Sequence, residues 1–298
     1  MKIARSYLAW TFGITWLSWG SLIIMTRCRL VAYGDVAFMI PFVLGGLAPT
    51  LAAFIALRKD RRIVPREDQH AVLREDRCAA TPGASPANTR RALKIRLFKY
   101  RINVGWYAAI AATPLVISAI AWIINKWVTG SAAPFLAKPL YMAYFILPMM
   151  IVGGGLEEIG WRGVLLPELL RKTSPLKATG IVSLVWGVWH LPLWLIPGVA
   201  QYGSNFAWFM VNILSVSLLM TLLYGATGSL LACILFHALG NAYATIGISA
   251  WSIMPVSRLI YAATSLAIPI FLFWIFLRRK AEIKGIITQK FSIFNTDD

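Results

Sequence analysis

Charged residues are scarce in this sequence of 298 residues, and only three cysteines are present. Charged residues make up 14% of the chain, whereas a soluble domain carries roughly 25%. The cysteine positions show neither a disulfide framework nor the spacing of zinc ligands, and the HExxH signature of helical zinc proteases is absent. We also find no internal repeat. These absences exclude an ordinary soluble domain and a disulfide-stabilised secreted fold.

Long apolar runs take the place of the missing charges, and 58% of the residues are hydrophobic. Eight runs have about 20 residues each, which suffices to cross a hydrocarbon core of ~30 Å as a helix. They lie near residues 5–26, 36–57, 104–125, 139–162, 177–197, 206–224, 227–249 and 257–277. The first is too long for a secretory signal and has no small-residue cleavage site. We predict an all-α, polytopic transmembrane helix bundle of about eight spans, forming a single domain over residues 1–298.

The net charge of +17 is unevenly distributed along this topology. If both termini are cytoplasmic, 24 of the 29 basic residues lie in cytoplasmic segments and five lie on the opposite side. This bias follows the positive-inside rule and favours an even number of spans. The excess charge therefore indicates topology and attraction to anionic membrane lipid. Nucleic acid is not expected as a partner.

One long polar segment, the basic loop at residues 58–103, interrupts the apolar sequence. Its middle, from Cys78 to Asn88, is rich in Ala, Pro, Ser and Thr, which predicts a flexible stretch. Its end, from Lys94 to Arg101, alternates cations with apolar residues, a pattern that suits the lipid headgroup region. An ordinary cytoplasmic loop that obeys the positive-inside rule is the simpler interpretation.

A few ionisable residues lie inside the apolar runs. Glu157 and Glu158 are adjacent in the fourth run, Arg162 follows them, and His190 and His237 lie in the fifth and seventh runs. A charge at the bilayer centre costs roughly 2.5–3.5 kcal/mol even on the lenient insertion scale. Such groups must therefore be paired, neutralised or hydrated, and they are functional candidates by default.

Helical spacing assigns different neighbours to the two glutamates. Glu158 and Arg162 are four residues apart, so they share a helix face and can pair. Glu157 lies roughly 140° around the helix from Arg162. We therefore expect Arg162 to bind Glu158 and Glu157 to contact another neighbour.

Three of the predicted helices carry polar residues at the same depth in the membrane. Counted from the cytoplasmic ends of their helices, Glu157, His190 and Asn241 lie at depths that agree with one another to within about one helical turn. His237 lies four residues before Asn241, which places an imidazole beside a carboxamide. The sequence thus predicts a common site rather than scattered polar residues.

The predicted site supports more than one chemistry. Glu157 can act as a general base on water, with His190 relaying the proton or orienting the water. His237 and Asn241 can donate hydrogen bonds to a developing oxyanion. Alternatively, Glu157, His190 and His237 can hold a divalent metal such as zinc with an open position for water. A structural ion pair and helix-linking hydrogen bonds are the non-functional alternative, and a required cofactor is left open.

Three short motifs carry a resemblance to a known family. They are Glu157-Glu158-Ile-Gly-Trp-Arg162, Trp186-Gly-Val-Trp-His190 and His237-Ala-Leu-Gly-Asn241. In this order they resemble the EExxxR, FxxxH and HxxxN/D motifs of the CPBP family, also called Abi or type II CAAX-processing endoproteases. Trp186 departs from the Phe that is common in the family, which keeps an aromatic wall and is expected to narrow the pocket.

The resemblance implies an intramembrane endopeptidase that acts on membrane-associated proteins or peptides. It implies that Glu157 and His190 activate water and that His237 and Asn241 stabilise the oxyanion. The third pair of motif residues, Glu158 and Arg162, is implied to shape the site. Family members are described both as metalloproteases and as metal-free glutamate enzymes, so the resemblance leaves metal dependence open.

The substrate and the cellular role stay broad at this point. By analogy, CAAX-type processing or bacteriocin self-immunity in a bacterial cytoplasmic (inner) membrane is expected. A proton- or ion-coupled transporter is an alternative, in which the buried carboxylates relay protons, although no inverted repeat supports it. A non-catalytic immunity or scaffold membrane protein is a second alternative.

Overall fold

A computed structural model of the protein describes residues 2–58, 86–250, 252 and 254–293, and the regular secondary structure in these ranges is helical throughout. The prediction of an all-α bundle is confirmed. The helices are α1 (Lys2–Arg27), α2 (Val36–Arg58), α3 (Pro86–Leu97), α4 (Val104–Thr129), α5 (Tyr141–Val152), α6 (Gly155–Leu170), α7 (Pro175–Trp189), α8 (Phe206–Thr227), α9 (Leu230–Thr245) and α10 (Pro255–Ile293).

Each of the eight predicted apolar runs coincides with a helix or with a pair of helices, but not all of them are full spans. Six described helices are long and apolar enough to cross a membrane, namely α1, α2, α4, α7 with its extension to Leu195, α8 and α10. The α5–α6 pair, bent by 42°, makes a seventh if it counts as one span. Helix α9 has 16 residues, about 24 Å at 1.5 Å per residue, and is shorter than the hydrocarbon core. The chain is a polytopic integral membrane protein with six or seven candidate spans among its described helices.

Three consecutive glycines break the fourth run between α5 and α6. A Cβ atom on Gly154 would lie 2.4 Å from Asn241 Nδ2. A Cβ atom on Gly155 would lie 2.9 Å from the carbonyl oxygen of Ile234. Only glycine allows the backbone to approach α9 this closely. The break thus brings the first turn of α6, which carries the two glutamates, against α9.

Helix α6 is itself irregular. It begins with a 3₁₀ turn over Gly155–Glu157 and passes through a π-helical turn over Trp161–Leu165 before it ends as α-helix. Turns of π-helix are frequent at functional sites because they shift the register of the side chains that follow. Arg162 lies within this π-helical turn.

A left-handed glycine joins α8 to α9 with almost no loop. Gly228 has φ of 62° and donates its backbone N–H to the carbonyl of Tyr224, which caps α8. Ser229 then caps α9, because its hydroxyl accepts from the N–H of Ala232. The two helices are therefore antiparallel neighbours, with the start of α9 fixed at one end of the bundle.

Much of the predicted basic loop lies outside the described residues. The structure does not describe the segment 59–85, which includes His70 and most of the stretch predicted to be flexible. The end of the loop forms helix α3. The single-domain organisation and the cytoplasmic position of the termini stay predictions.

Candidate functional site

A cavity of about 330 Å³ lies in the interior of the bundle and contains the predicted site. Glu157, His190, His237 and Asn241 all line it. The expectation that α6, α7 and α9 bring these side chains together is confirmed. The remaining wall is mainly apolar and includes Phe209 of α8. A volume of this size is within the range of pockets that bind ligands.

Glu158 lies in the wall of the site and has two cationic or potentially cationic partners. Its Oε2 is 3.0 Å from Arg162 Nη1, and its Oε1 is 2.8 Å from His237 Nδ1. Glu158 and Arg162 are completely buried. Arg162 also donates from Nη2 to Ser217 Oγ at 2.8 Å. The predicted Glu158–Arg162 pair is confirmed, and buried charges of this kind are tolerated because each has a partner.

Glu157 has a different environment although it is the adjacent residue. Its Oε2 accepts hydrogen bonds from Trp186 Nε1 at 2.8 Å and from Trp161 Nε1 at 3.3 Å. Both hydrogen bonds among the described residues end on the same oxygen. The other oxygen, Oε1, is therefore available to a water molecule or a substrate atom in the cavity. The expectation that Glu157 contacts a neighbour other than Arg162 is confirmed.

His190 ends α7, and its ring is held from several sides. Its Nδ1 lies 2.8 Å from the backbone carbonyl of Trp186. Because a carbonyl oxygen only accepts, Nδ1 carries the proton, and Nε2 of the neutral ring is an acceptor. The ring centroid lies 4.5 Å from Trp189 and 5.0 Å from Phe209 in edge-to-face contacts. The tautomer and the orientation of His190 thus suit a base or a water acceptor.

His237 and Asn241 face the backbone of Gly154 from one turn of α9. A Cβ atom on Gly154 would lie 2.4 Å from Asn241 Nδ2 and 3.1 Å from His237 Nε2. The two nitrogens therefore lie close together at one edge of the cavity. Because Glu158 accepts from His237 Nδ1, Nε2 of His237 donates when the ring is doubly protonated. In that state it forms a pair of hydrogen-bond donors with Asn241 Nδ2.

Three contacts of the site were not predicted from the sequence. The hydrogen bond from His237 to Glu158 joins two helices, and spacing within one helix carries no sign of it. Trp186 was expected to form an aromatic wall of the pocket, and its indole also donates to Glu157. Trp161, which donates to the same oxygen, lies four residues after Glu157, the spacing that revealed the Glu158–Arg162 pair.

Helix α1 supports the site from behind. Trp189 Nε1 donates to Thr15 Oγ1 at 2.7 Å, and Thr15 Oγ1 donates to the carbonyl of Gly45 at 2.8 Å. This hydrogen-bonded chain links α7, α1 and α2. It fixes the indole that packs against the ring of His190. No motif in the sequence indicated Thr15.

A metal site would need three ligands arranged around one ion. Within the part of the chain that the structure describes, no three His, Cys, Asp or Glu side chains are arranged to hold one metal ion. Hydrogen bonds engage Nδ1 of His190 and Nδ1 of His237, so only the Nε2 atoms of these two rings could bind a metal. In this conformation the residues do not fit a three-ligand site.

The fold and the cavity define a polytopic membrane protein with a buried Glu–His–Asn site, and known proteins share its central segment. Residues 139–243 match the family model described as "Type II CAAX prenyl endopeptidase Rce1-like". This segment extends from the residues before α5 to the last turns of α9. It includes the six residues predicted from the motifs.

A curated protein is similar over nearly the same length. The chain is 28% identical over 103 residues to CAAX prenyl protease 2 of Methanococcus maripaludis, which covers 32% of this chain and 38% of that protein. The chain thus matches less than half the length of this relative. These comparisons confirm the resemblance to type II CAAX-processing endoproteases for the central segment.

Proposed function

We propose that the protein is an intramembrane endopeptidase that hydrolyses a peptide bond with a water molecule activated by Glu157 and His190. One observation carries this proposal. A single cavity within the bundle contains a carboxylate oxygen and a histidine Nε2 that can accept protons, and also the donor pair of His237 and Asn241. Base and oxyanion donors in one site are what acyl transfer to water requires.

The first step is attack of water on the substrate carbonyl. Oε1 of Glu157 accepts a proton from the water, and Nε2 of His190 accepts a hydrogen bond that orients it. The water oxygen then forms a bond to the carbonyl carbon, while the carbonyl π electrons move to the oxygen. Asn241 Nδ2 and His237 Nε2 donate hydrogen bonds to this oxyanion.

The second step is collapse of the tetrahedral intermediate. The C–N bond breaks, and its electron pair goes to the leaving nitrogen. Glu157, protonated in the first step, returns its proton to that nitrogen. The products are a carboxylic acid and an amine, and the site is regenerated without any net change in its protonation.

Glu158 and Arg162 take part by holding His237. Glu158 accepts from Nδ1 of His237 and also binds Arg162. The partners on both oxygens of Glu158 limit the cost of burying this carboxylate together with the Arg162 guanidinium in a low-dielectric interior. The pair therefore shapes the oxyanion side of the site.

The proposed substrate is a membrane-associated protein or peptide. The site lies within a bundle of apolar helices and most of the cavity wall is apolar, which suits a substrate held in or at the membrane. The archaeal relative is named a CAAX prenyl protease, which makes a prenylated protein one candidate. Bacteriocin self-immunity and a location in the bacterial cytoplasmic membrane are the other finer proposals that come from the family resemblance.

Peptide termini reveal this activity directly. New N- and C-termini are mapped quantitatively in membranes that contain equal amounts of wild type or Glu157→Gln. We expect a set of termini that depends on the wild type and disappears in the variant. Glu168→Gln serves as the control, because Glu168 is on the same helix, pairs with Arg171 and does not line the cavity. Identical termini in wild type and Glu157→Gln would contradict the proposal and favour transport or scaffolding.

A chelator added to the same membranes tests the role of metal. We expect the termini to form at an unchanged rate, because the described side chains offer no three-ligand site. Loss of the termini with chelator, followed by recovery on adding Zn²⁺, would show that the enzyme requires a metal.

A further inference from the structure

Residues 86–103, named here the basic strap, form a second feature that the proposed chemistry does not use. The strap contains helix α3 and the residues that lead into α4. It has six basic residues and no acidic one: Arg90, Arg91, Lys94, Arg96, Lys99 and Arg101. The preceding segment, residues 59–85, has six basic and five acidic residues. The net positive charge of the basic loop is therefore concentrated in the strap.

The inner side of the strap is attached to one end of the bundle. Arg96 Nη1 donates to Tyr224 OH at 2.8 Å, near the end of α8. Ser229, the N-cap of α9, donates to the carbonyl of Lys99 at 2.6 Å. Tyr107, in the first turn of α4, donates to the carbonyl of Tyr100 at 2.6 Å. These contacts place the strap where two helices begin and a third one ends, at a level expected for the edge of the membrane.

The outer side of the strap combines cations with exposed apolar side chains. Arg91, Lys94 and Arg101 are exposed. Phe98 is 72% exposed and Tyr100 is 58% exposed. Water favours the cations but not an exposed phenylalanine, whereas the headgroup region of a bilayer accommodates both. Aromatic residues beside Lys and Arg are typical of segments at this interface.

We propose that the basic strap binds the headgroups of anionic phospholipids in the leaflet that borders this end of the bundle. The charges and exposed aromatic residues of the outer side fit this one partner. The phosphates interact with Arg91, Lys94 and Arg101, while Phe98 inserts among the acyl chains next to them. Cations at such a surface attract anionic lipid, and the attraction weakens as salt screens it.

Lipid bound to the strap also acts on the site, and this part of the inference rests on the proposed function. Leu93, on the inner side of the strap, is buried, and a Cβ atom on Gly163 would lie 2.6 Å from its Cδ1. Gly163 follows Arg162 in the π-helical turn of α6. A strap held against this turn by lipid stabilises the position of Arg162 and, through Glu158, that of His237.

Binding is tested on the full-length protein in nanodiscs of phosphatidylcholine with about 30% phosphatidylglycerol, an anionic lipid. The lipids that remain on the protein after mild release are counted by native mass spectrometry. The strap variant is Arg91→Gln/Lys94→Gln/Arg101→Gln. The matched control is Arg27→Gln/Arg29→Gln/Lys138→Gln, which removes the same charge from exposed positions at the other end of the bundle.

We expect the strap variant to lose at least about half of the retained phosphatidylglycerol, whereas the control retains it. Equal retention in the two variants, or equal loss, would overturn the proposal. In a cleavage assay, wild type should be about threefold more active with phosphatidylglycerol than without it, and the strap variant should not respond. If no variant cleaves any peptide while lipid retention changes as expected, the proposed function fails and the lipid site stands.

Discussion

Glu157 and Glu158 are adjacent in sequence, yet they belong to two different regions of the site. Glu157 lines the cavity and receives hydrogen bonds from two neutral indoles. Glu158 lies in the wall, where Arg162 and His237 hold it. The residues four positions further on, Trp161 and Arg162, determine much of this difference. Neutral donors orient a carboxylate and leave one oxygen available, whereas a cation and an imidazole engage both oxygens.

The largest effect is expected from removing the base. Glu157→Gln keeps an oxygen that accepts from the two indoles, so the fold should be retained. The rate should fall by about 10³-fold, because general base catalysis typically contributes 10²–10⁴-fold. Single-turnover cleavage and thermal unfolding in detergent measure the two quantities. A variant that keeps more than about a tenth of the activity would show that Glu157 is not the base.

The neighbouring substitution should instead reduce stability. Glu158→Gln leaves the guanidinium of Arg162 buried without its counterion and weakens the bond to His237. Breaking a buried pair costs about 3–5 kcal/mol. Thermal unfolding should therefore begin at a clearly lower temperature than for Glu157→Gln. Equal unfolding temperatures for the two variants would contradict the view that Glu158, unlike Glu157, stabilises the fold.

A smaller effect is expected from removing one indole donor. Trp186→Phe keeps an aromatic ring beside His237 and removes the N–H that binds Glu157. A hydrogen bond to a charged group contributes about 1.5–3 kcal/mol, so kcat should fall by about 10- to 100-fold at an unchanged KM. Trp194→Phe is the control, because its indole donates to the carbonyl of Ser204 away from the cavity. Equal losses in both variants would indicate a packing effect.

The smallest effect is expected from changing Thr15 of helix α1, which binds the indole that packs against His190. Thr15→Val keeps the shape of the side chain and removes the hydroxyl that links Trp189 to Gly45. We expect a decrease in kcat of about three- to tenfold, because one hydrogen bond of about 1 kcal/mol that positions the ring is lost. Thr15→Ser should restore the rate.

Thr26→Val provides the control in the same helix, since the Thr26 hydroxyl bonds only to carbonyls of α1 among the described residues. If Thr15→Ser is as slow as Thr15→Val, the hydroxyl does not position His190.

Much of the architecture could be predicted because the bilayer constrains it so strongly. Apolar runs of about 20 residues must be helical, since backbone groups in lipid have to be satisfied within each segment. The same reasoning identified Glu157, His190, His237 and Asn241 as members of one site. Their polarity is costly in lipid unless they meet partners, and the depth of each residue follows from the helical rise.

What the sequence by itself determined is therefore the helical class, the positions of the apolar runs and the pairing of Glu158 with Arg162. Only the tertiary structure decided that α9 is too short to span and that the glycines break α5 from α6 against α9. It also decided that His237 binds Glu158 and that Trp186 binds Glu157. The physical reason is that spacing reports contacts within one helix. Contacts between helices depend on how closely backbones pack, and that is settled when the whole bundle assembles.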